Sequence, residues 1–354
     1  MNQFNLPSRA RPARRVLLGL ALACLGALTL SSAAAFGSAF LPPAGQVFAG
    51  VGGGKTDDSF VHQTGAQPSV FQVFIAWGQQ NHYFLHRADG AHARLMIHLS
   101  TAWGADRPQL ITPAQIAEGR GDDYLLWLGQ QLADHGQPVY VRLMAEMNGH
   151  TPYSAYDSAT GRRRGAGNST SAFRQAWRRV TLILRGGPLA QVNTALAALH
   201  EPPVRHAGGD LPPAPVAMLW VPQVAGAPDI PANSPRAYWP GSDYVDWIGT
   251  DFYSRFPNWS GLERFYRTRA FAGKPFVFGE WAIWGSDDPG FVRRLFGWSR
   301  SHPRVRMLVY NQGEQPGGVL RLDRYPRAAR ALRSELARHN SRFAVAPEWS
   351  GAQG

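Results

Sequence analysis

The chain has 354 residues, 44% of them hydrophobic and 17% charged, which is a composition typical of a globular protein with a sizeable core. Its formal net charge of +12 comes almost entirely from arginine, since lysine occurs only at positions 55 and 274. These figures exclude a largely disordered chain, and the positive charge favours acidic polymers as partners.

The first 35 residues have the pattern of a secretory signal peptide. Four arginines between Arg9 and Arg15 precede a 15-residue apolar stretch (16–30), and "SSAAAF" follows with small residues. The stretch is short for a membrane span, so we predict cleavage near Ala35, no membrane insertion afterwards, and a secreted or periplasmic protein of net charge about +8. Cys24, the only cysteine, lies inside the leader, so the mature chain would have no disulfide.

Eight short apolar segments follow in chain order, and we predict each as a strand. They are 46–51, 70–77, 93–99, 138–146, 216–222, 245–253, 275–280 and 305–312. Amphipathic segments at 122–136, 170–187, 290–302 and 327–339 lie between or after them and predict helices. Eight strands alternating with helices predict an α/β fold, a single-domain (β/α)8 TIM barrel over residues 46–340. A linker (36–45), a tail (341–354) and a Pro/Gly-rich loop insertion (200–215) complete the predicted organisation.

Two glutamates fall at the predicted carboxyl ends of strands, where TIM barrels place their chemistry. Alternation along the fourth strand puts Arg142, Met144 and Glu146 on one inward face. The seventh strand, "PFVFGE", puts Glu280 on one face with Phe276 and Phe278. A pair of carboxyl groups at one barrel mouth is what glycoside hydrolysis requires, although a structural ion pair with Arg142 remains an alternative for Glu146.

Five motifs occur in an order and spacing that resemble glycoside hydrolase family 26, the β-mannanase family of retaining (β/α)8 enzymes. They are "RLMAEMNG", "FRQAWRRV", "LWVPQ", "YWPGSDYVDWIGTDFY" and "KPFVFGEW". The resemblance implies that Glu146 is the acid/base, Glu280 the nucleophile, Arg142 a cation that shapes the site, and Tyr253 the hydroxyl that positions the nucleophile. It also matches His98 to a sugar-contacting histidine.

The chain departs from this family in two places beside Glu146. Ala145 stands where the family usually has histidine, and "HTPYSAY" offers Tyr153 and Tyr156 where the family tends to have tryptophan. We predict Asn148 as a further substrate-binding residue. Tyr153, Trp281, Trp284 and Trp239 are also candidates, because aromatic faces stack on sugar rings. The departures keep open a non-catalytic polysaccharide-binding or exopolysaccharide-assembly protein on the same fold.

Other motifs do not support a different chemistry. "AGVGGGKT" (49–56) loosely matches a phosphate loop but lacks the long helix that must follow, so no nucleotide is predicted. "HYFLH" (82–86) spaces two histidines for zinc without a third ligand, and "GRRRG" (161–165) is too isolated for nucleic acid. We therefore predict no metal, no cofactor, and a polysaccharide substrate that is β-mannan first and an exopolysaccharide or β-glucan second.

Overall fold

Eight parallel strands close into a barrel in the computed structural model, which describes residues 40–54, 57–206, 208–313, 315 and 317–337. Each strand pairs with the next along the chain, and the last pairs with the first. The strands are β1 (Phe48–Gly52), β2 (Val70–Ala76), β3 (Arg94–Ser100), β4 (Val139–Leu143), β5 (Val216–Trp220), β6 (Trp247–Tyr253), β7 (Phe276–Ala282) and β8 (Val305–Asn311). The predicted TIM barrel is confirmed.

Helices surround the barrel. They are α1 (Asp58–Thr64), α2 (Tyr83–Gly90), α3 (Pro113–Ala117), α4 (Asp122–His135), α5 (Thr170–Arg185), α6 (Leu189–Ala198), α7 (Trp259–Tyr266), α8 (Pro289–Ser301) and α9 (Pro326–Leu336). The four predicted helices correspond to α4, α5, α8 and α9. The connection between β5 and β6 contains only short 3-10 turns, so this side of the barrel is covered by irregular backbone.

Local sequence signals set where several helices begin. The side chain of Ser169 accepts a hydrogen bond from the Ala172 amide at the start of α5, and Asp288 does the same for Phe291 at the start of α8. Thr112 and Gln115 form a reciprocal capping box at α3. The loops that precede these three helices follow β4, β7 and β3, so the caps also determine how those loops leave the barrel mouth.

The core has two layers. An inner cluster takes side chains from every strand and fills the barrel, with the rings of Phe48, Tyr140 and Trp247 in edge-to-face contact. A larger outer cluster lies between the strands and the helices. Side chains alternate between the layers along regular stretches of strand, as on β4, where Tyr140 points inward and Val139 and Val141 point outward.

Several sequence predictions fall on residues that the structure does not describe. These are the leader with Cys24 and the cleavage site near Ala35, residues 36–39 of the linker, and the tail 341–354. No helix among the described residues is long and apolar enough to cross a membrane.

Candidate active site

Glu280 reaches the barrel interior through a bulge in β7. Phe278 pairs with Thr250 of β6 and Leu308 of β8, whereas Trp281 pairs with Phe252 and Tyr310, so β7 has one extra residue relative to both neighbours. The prediction that Glu280 shares a face with Phe276 and Phe278 is therefore wrong.

Those two phenylalanines point outward and pack on Trp298 of α8. Gly279 makes the bulge possible, because a Cβ there would lie 2.7 Å from Nε of Arg142 and 3.0 Å from Oδ1 of Asp251. Because of the bulge, Glu280 points into the barrel, although Phe276 and Phe278, four and two residues earlier, point outward.

Four side chains donate hydrogen bonds to the Glu280 carboxylate. Oε1 accepts from Arg142 Nη1 at 2.5 Å and from Gln72 Nε2 at 3.2 Å. Oε2 accepts from the Tyr253 hydroxyl at 2.5 Å and from Asn311 Nδ2 at 2.6 Å. These donors come from β2, β4, β6 and β8, so the closed barrel holds the carboxylate from four sides.

These contacts keep Glu280 ionised. Burial by itself would raise its pKa, but the Arg142 guanidinium and the hydrogen-bond donors outweigh that cost and hold the pKa well below its usual range. Arg142 is fully buried and also donates to Asp251 Oδ2 at 2.6 Å, so one cation serves two carboxyl groups. A carboxylate that is always ionised and fixed in direction is suited to act as a nucleophile.

Glu146 lies in a turn beyond the strand that was predicted to carry it. The prediction of strand through residue 146 is wrong: β4 ends at Leu143, and Met144 and Glu146 adopt left-handed backbone with φ of 44° and 57°. Met144 consequently packs in the outer cluster, not on the inward face with Arg142. The Glu146 amide donates to the Val221 carbonyl at 2.7 Å, which ties this turn to the end of β5. Left-handed backbone at a non-glycine residue is strained and is often found at functional sites.

The surroundings of Glu146 favour its protonated form. Burial raises its pKa, and the negative charge of Glu280 adds to the effect, while Arg142 and the amide of Gln223 oppose it. Burial likewise raises the pKa of Asp251, and the negative charges of Glu280 and Glu146 raise it further, while Arg142 and the backbone amide of Glu280 oppose the effect.

Both glutamates open into one cleft of about 240 Å³ at the mouth of the barrel. Its walls come from the ends of β2 and β3 and from the loops after β3 and β4. Trp103, on the loop after β3, lines the cleft with 64% of its surface exposed. An exposed indole beside two carboxyl groups is an arrangement that suits a sugar ring, because its face offers apolar contact area.

His98 and Tyr153 also line the cleft. His98 Nδ1 lies 3.7 Å from Glu280 Oε1, too far for a good hydrogen bond, and burial lowers the pKa of the imidazole. Both of its ring nitrogens are buried and have no hydrogen-bond partner in the described part of the chain. The Tyr153 hydroxyl donates to the Ala145 carbonyl at 2.5 Å, so Tyr153 is a wall of the cleft whose polar end is already engaged.

Asn148 does not lie where the sequence predicted it. Its side chain is fully buried and forms two hydrogen bonds of 2.9 Å with the backbone of Gln223, one to the carbonyl and one from the amide. The Asn148 carbonyl accepts from Ala227 and Asn233. The prediction that Asn148 binds substrate is therefore wrong, and its role is to fasten the loop after β4 to the loop after β5.

The two tryptophans after Glu280 have different positions. Trp281 is only 2% exposed and packs outward against Phe296 of α8 and Tyr310, so its prediction as a sugar platform is wrong. Trp284 is half-buried at the rim, where it contacts Tyr253 edge-on and packs against Phe256 and Arg255. Trp284 thus stays available as a sugar-stacking residue.

Four site residues went unrecognised in the sequence: Gln72, Trp103, Asp251 and Asn311. Gln72 and Asn311 were hidden in apolar strands, and only their position opposite Glu280 gives them a role. Asp251 offered a usable signal, because it lies two residues before Tyr253 near the end of β6. Among the described residues no group of three or more His, Cys, Asp or Glu side chains could hold a metal ion.

The phosphate-loop match (49–56) and the histidine pair (82–86) were both rejected as ligand sites in the sequence, and the structure shows which elements contain them. Residues 49–52 of the phosphate-loop match belong to β1, and the helix that follows, α1, is only seven residues long. His82 directly precedes the first residue of α2, and its ring contacts the ring of Trp127. His86 lies in the first turn of α2.

Comparison with known proteins identifies the fold. No family model matches the sequence, and no curated protein sequence matches it significantly. A GH26 β-mannanase from Bacteroides ovatus superposes with a TM-score of 0.54 at 13% identity, covering 90% of this chain and 95% of that one. GH26A from a Muricauda species gives 0.52 at 14% identity, with 84% and 91% covered. An endo-β-1,4-mannanase from Cellulomonas fimi gives 0.54 at 13%, with 84% and 72% covered. The chain therefore has a fold like that of the GH26 enzymes.

Proposed function

We propose that this protein is a secreted or periplasmic endo-β-glycosidase that cleaves a β-linked polysaccharide with retention of anomeric configuration. The observation that carries the proposal is the pair of glutamates in one cleft whose pKa values are shifted in opposite directions, that of Glu146 upward and that of Glu280 downward. An acid and a nucleophile are the two roles that retaining hydrolysis assigns to its carboxyl groups.

The first step uses each glutamate in the state that its surroundings favour. Glu280 Oε attacks the anomeric carbon while Glu146 gives its proton to the departing glycosidic oxygen, so a covalent glycosyl–enzyme ester forms and one sugar chain leaves. As negative charge leaves Glu280, Arg142 and Tyr253 keep their hydrogen bonds to the carboxyl oxygens and hold its orientation.

The second step reverses these roles. Glu146, now ionised, takes a proton from water as the water attacks the anomeric carbon, and Glu280 leaves as the carboxylate. The amide of Gln223 stabilises the ionised form of Glu146 at this stage.

The substrate is proposed on separate grounds. The proteins with a similar fold include β-mannanases, which favours β-1,4-mannan as the substrate. The exposed Trp103 and the half-buried Trp284 offer surfaces for more than one sugar ring. Export is proposed from the leader alone. The competing function is a non-catalytic polysaccharide-binding or assembly protein, because Ala145 stands where the resembled family has histidine.

The test is the anomeric form of the first product. The mature protein is incubated with β-1,4-mannan, β-glucan and acidic exopolysaccharide, and new reducing ends are followed by proton NMR within the first minutes. We expect β-anomers to appear before mutarotation. Products that appear first as α-anomers would contradict retention, and release of no reducing ends from any polymer, with binding to one of them, would establish the non-catalytic alternative.

A further inference from the structure

A second cavity, of about 520 Å³, lies on the same face of the barrel as the cleft. It is enclosed by the loop after β4, by the first turn of α5 and by the connection between β5 and β6. Its lining includes Tyr156, Arg163, Ser169, Thr170, Arg174 and Ala237. Nothing in the proposed catalytic steps uses this cavity.

The charged side chains that line this cavity are both cations. Arg163 and Arg174 face it, and neither forms an ion pair within the part of the chain that the structure describes. Arg174 is oriented by the hydrogen bond that its Nη1 donates to the Ala237 carbonyl at 2.5 Å. Burial and the neighbouring Arg178 lower the pKa of Arg174, which shows that its positive charge is not compensated locally.

The nearest acid on the same loop is already engaged. Asp157 accepts hydrogen bonds from the amide and hydroxyl of Thr160, both at 2.8 Å, and pairs with Arg164 at 3.3 Å. It therefore does not neutralise Arg163. The cavity also includes Thr170, the first residue of α5, where amide groups without intrahelical acceptors and the helix dipole add further positive potential.

The cavity is close to the cleft along the chain. Tyr153 lines the cleft and Ala155 lines the cavity, and two residues span at most about 7 Å. A polymer bound across Glu146 and Glu280 therefore reaches the cavity within a few sugar units. Tyr156, which is 7% exposed, forms part of the cavity wall.

We propose that this cavity binds a sugar unit that carries a negatively charged group, so that the polysaccharide processed in the cleft is an acidic one. Guanidinium groups recognise carboxylate and sulfate through paired, charge-assisted hydrogen bonds, and two of them line this cavity without an ion-pair partner in the described part of the chain. The link from cavity to substrate rests on the proposed hydrolase function, whereas the binding of a charged sugar does not.

The test compares ligands that differ in charge. Isothermal titration with a β-1,4-linked hexamannuronate, a sulfated mannohexaose and neutral mannohexaose measures three affinities in a buffer free of phosphate and sulfate, and mass spectrometry checks that each ligand stays intact. We expect at least one charged hexamer to bind about tenfold tighter than the neutral one. Arg163→Ala should lower the ratio of charged to neutral affinity about tenfold. Arg174→Lys keeps a positive donor but loses the paired N–H groups of the guanidinium, so it should lower the ratio less.

Arg330→Ala is the matched control. Arg330 is exposed on α9, which contacts α1 and α8, and its removal takes away the same charge. It should leave the ratio of affinities unchanged. If neither charged ligand binds tighter than mannohexaose, or if Arg163→Ala and Arg330→Ala change the ratio equally, the inference is wrong. If the protein hydrolyses neutral mannan and shows no preference for charged ligands, the charged-sugar inference is wrong and the hydrolase proposal stands. If it binds charged ligands selectively but hydrolyses nothing, only the hydrolase proposal is wrong.

Discussion

Glu146 and Glu280 are the same side chain in opposite electrostatic surroundings. Glu280 receives donors on both oxygens, including a buried guanidinium, whereas Glu146 faces another carboxyl group and the charge of Glu280. The free energy of ionisation depends on these neighbours. Glu280 is therefore ionised, and Glu146 keeps the proton that it gives to the leaving group. The division of roles is therefore a property of the site and not of residue type.

The pH dependence of activity should follow from these shifts. Since the pKa of Glu280 is lowered and that of Glu146 is raised, kcat/KM should stay high between the two and fall on the alkaline side as Glu146 loses its proton. With an aryl glycoside whose leaving group still needs protonation, so that the unaltered protein shows the alkaline fall, Glu146→Gln should be slower in the first step and should lack that fall. An alkaline limb that persists unchanged in this variant would assign that limb to another group.

The two tryptophans after Glu280 provide a contrast between binding and stability. Trp281→Ala should lower the free energy of unfolding by about 3–5 kcal/mol, because it empties a buried site between β7 and α8. Trp284→Ala should raise KM with little change in the unfolding midpoint, because its half-exposed ring lies at the rim. Urea denaturation and Michaelis kinetics on both variants separate the effects. Equal loss of stability in both would show that Trp284 is part of the core.

At the scale of elements, the ends of two strands could not be read from the sequence. The run "PVYVRLMAE" stays apolar up to Glu146, so nothing in its pattern marks the change of direction after Leu143. The extra residue in β7 likewise depends on pairing with β6 and β8, which hydrophobic alternation does not encode. The sequence nevertheless predicted that both glutamates lie at the barrel mouth, where both line one cleft, because strand position and motif resemblance do not depend on these details.

The turn after β4 can be tested through Gly149. A Cβ at this position would lie 2.6 Å from the side-chain amide of Gln223, which must then move away from Glu146. Since that amide lowers the pKa of Glu146, Gly149→Ala should move the alkaline limb of kcat/KM to higher pH and reduce the rate. Gln223→Met should do the same, and the double variant should add little further.

Gly129→Ala is the control for that prediction. Gly129 lies in α4, and a Cβ there meets only Leu184 Cδ2 at 3.8 Å, which is an ordinary contact. Its pH profile should match that of the unaltered protein. An alkaline limb that stays in place in both Gly149→Ala and Gln223→Met would refute the role given to Gln223.

At the scale of the whole molecule, strand number and alternation were sufficient to predict the barrel. All eight strands and the four named helices were found, because each buries a continuous apolar face. The helices at 58–64, 83–90, 113–117 and 259–266 were missed because they are short, and α6 was missed because it follows α5 after a break of only a few residues. Residues that act through distant partners, such as Gln72 and Asn311, can be recognised only once the barrel closes.

A buried ion cluster beyond the site makes stability depend on pH. Arg179 binds Asp122 through two hydrogen bonds of 2.5 and 2.8 Å, and Glu201 lies 3.7 Å from the same guanidinium. Burial raises the pKa of Glu201 from 4.5 to about 7. Near pH 4 the Glu201 carboxyl is protonated in both the folded and the unfolded chain. Above pH 7 it is ionised in both, but it is buried in the folded chain and exposed to water in the unfolded chain. This residue therefore lowers stability as the pH rises from about 4.5 to 7.

Glu201→Gln should remove that dependence. We expect the variant to be more stable than the unaltered protein by about 1–3 kcal/mol at pH 8, with the gap closing toward pH 4. Urea denaturation across this range measures it, and Glu118→Gln, at an exposed site, is the control. A variant that is less stable by the same amount at every pH would mean that Arg179 needs Glu201 as a partner.

Azide rescue of the two glutamate variants tests the proposed mechanism most directly. With an aryl β-glycoside that has a dinitrophenolate leaving group, Glu146→Ala should release one equivalent of phenolate quickly and then turn over slowly, and azide should restore turnover with a product of retained configuration. Glu280→Ala should be far less active, and any azide product should be inverted because azide then occupies the nucleophile's place. Near-normal rates in both variants, or an inverted azide product from Glu146→Ala, would contradict the assignment of Glu280 as nucleophile and Glu146 as acid/base.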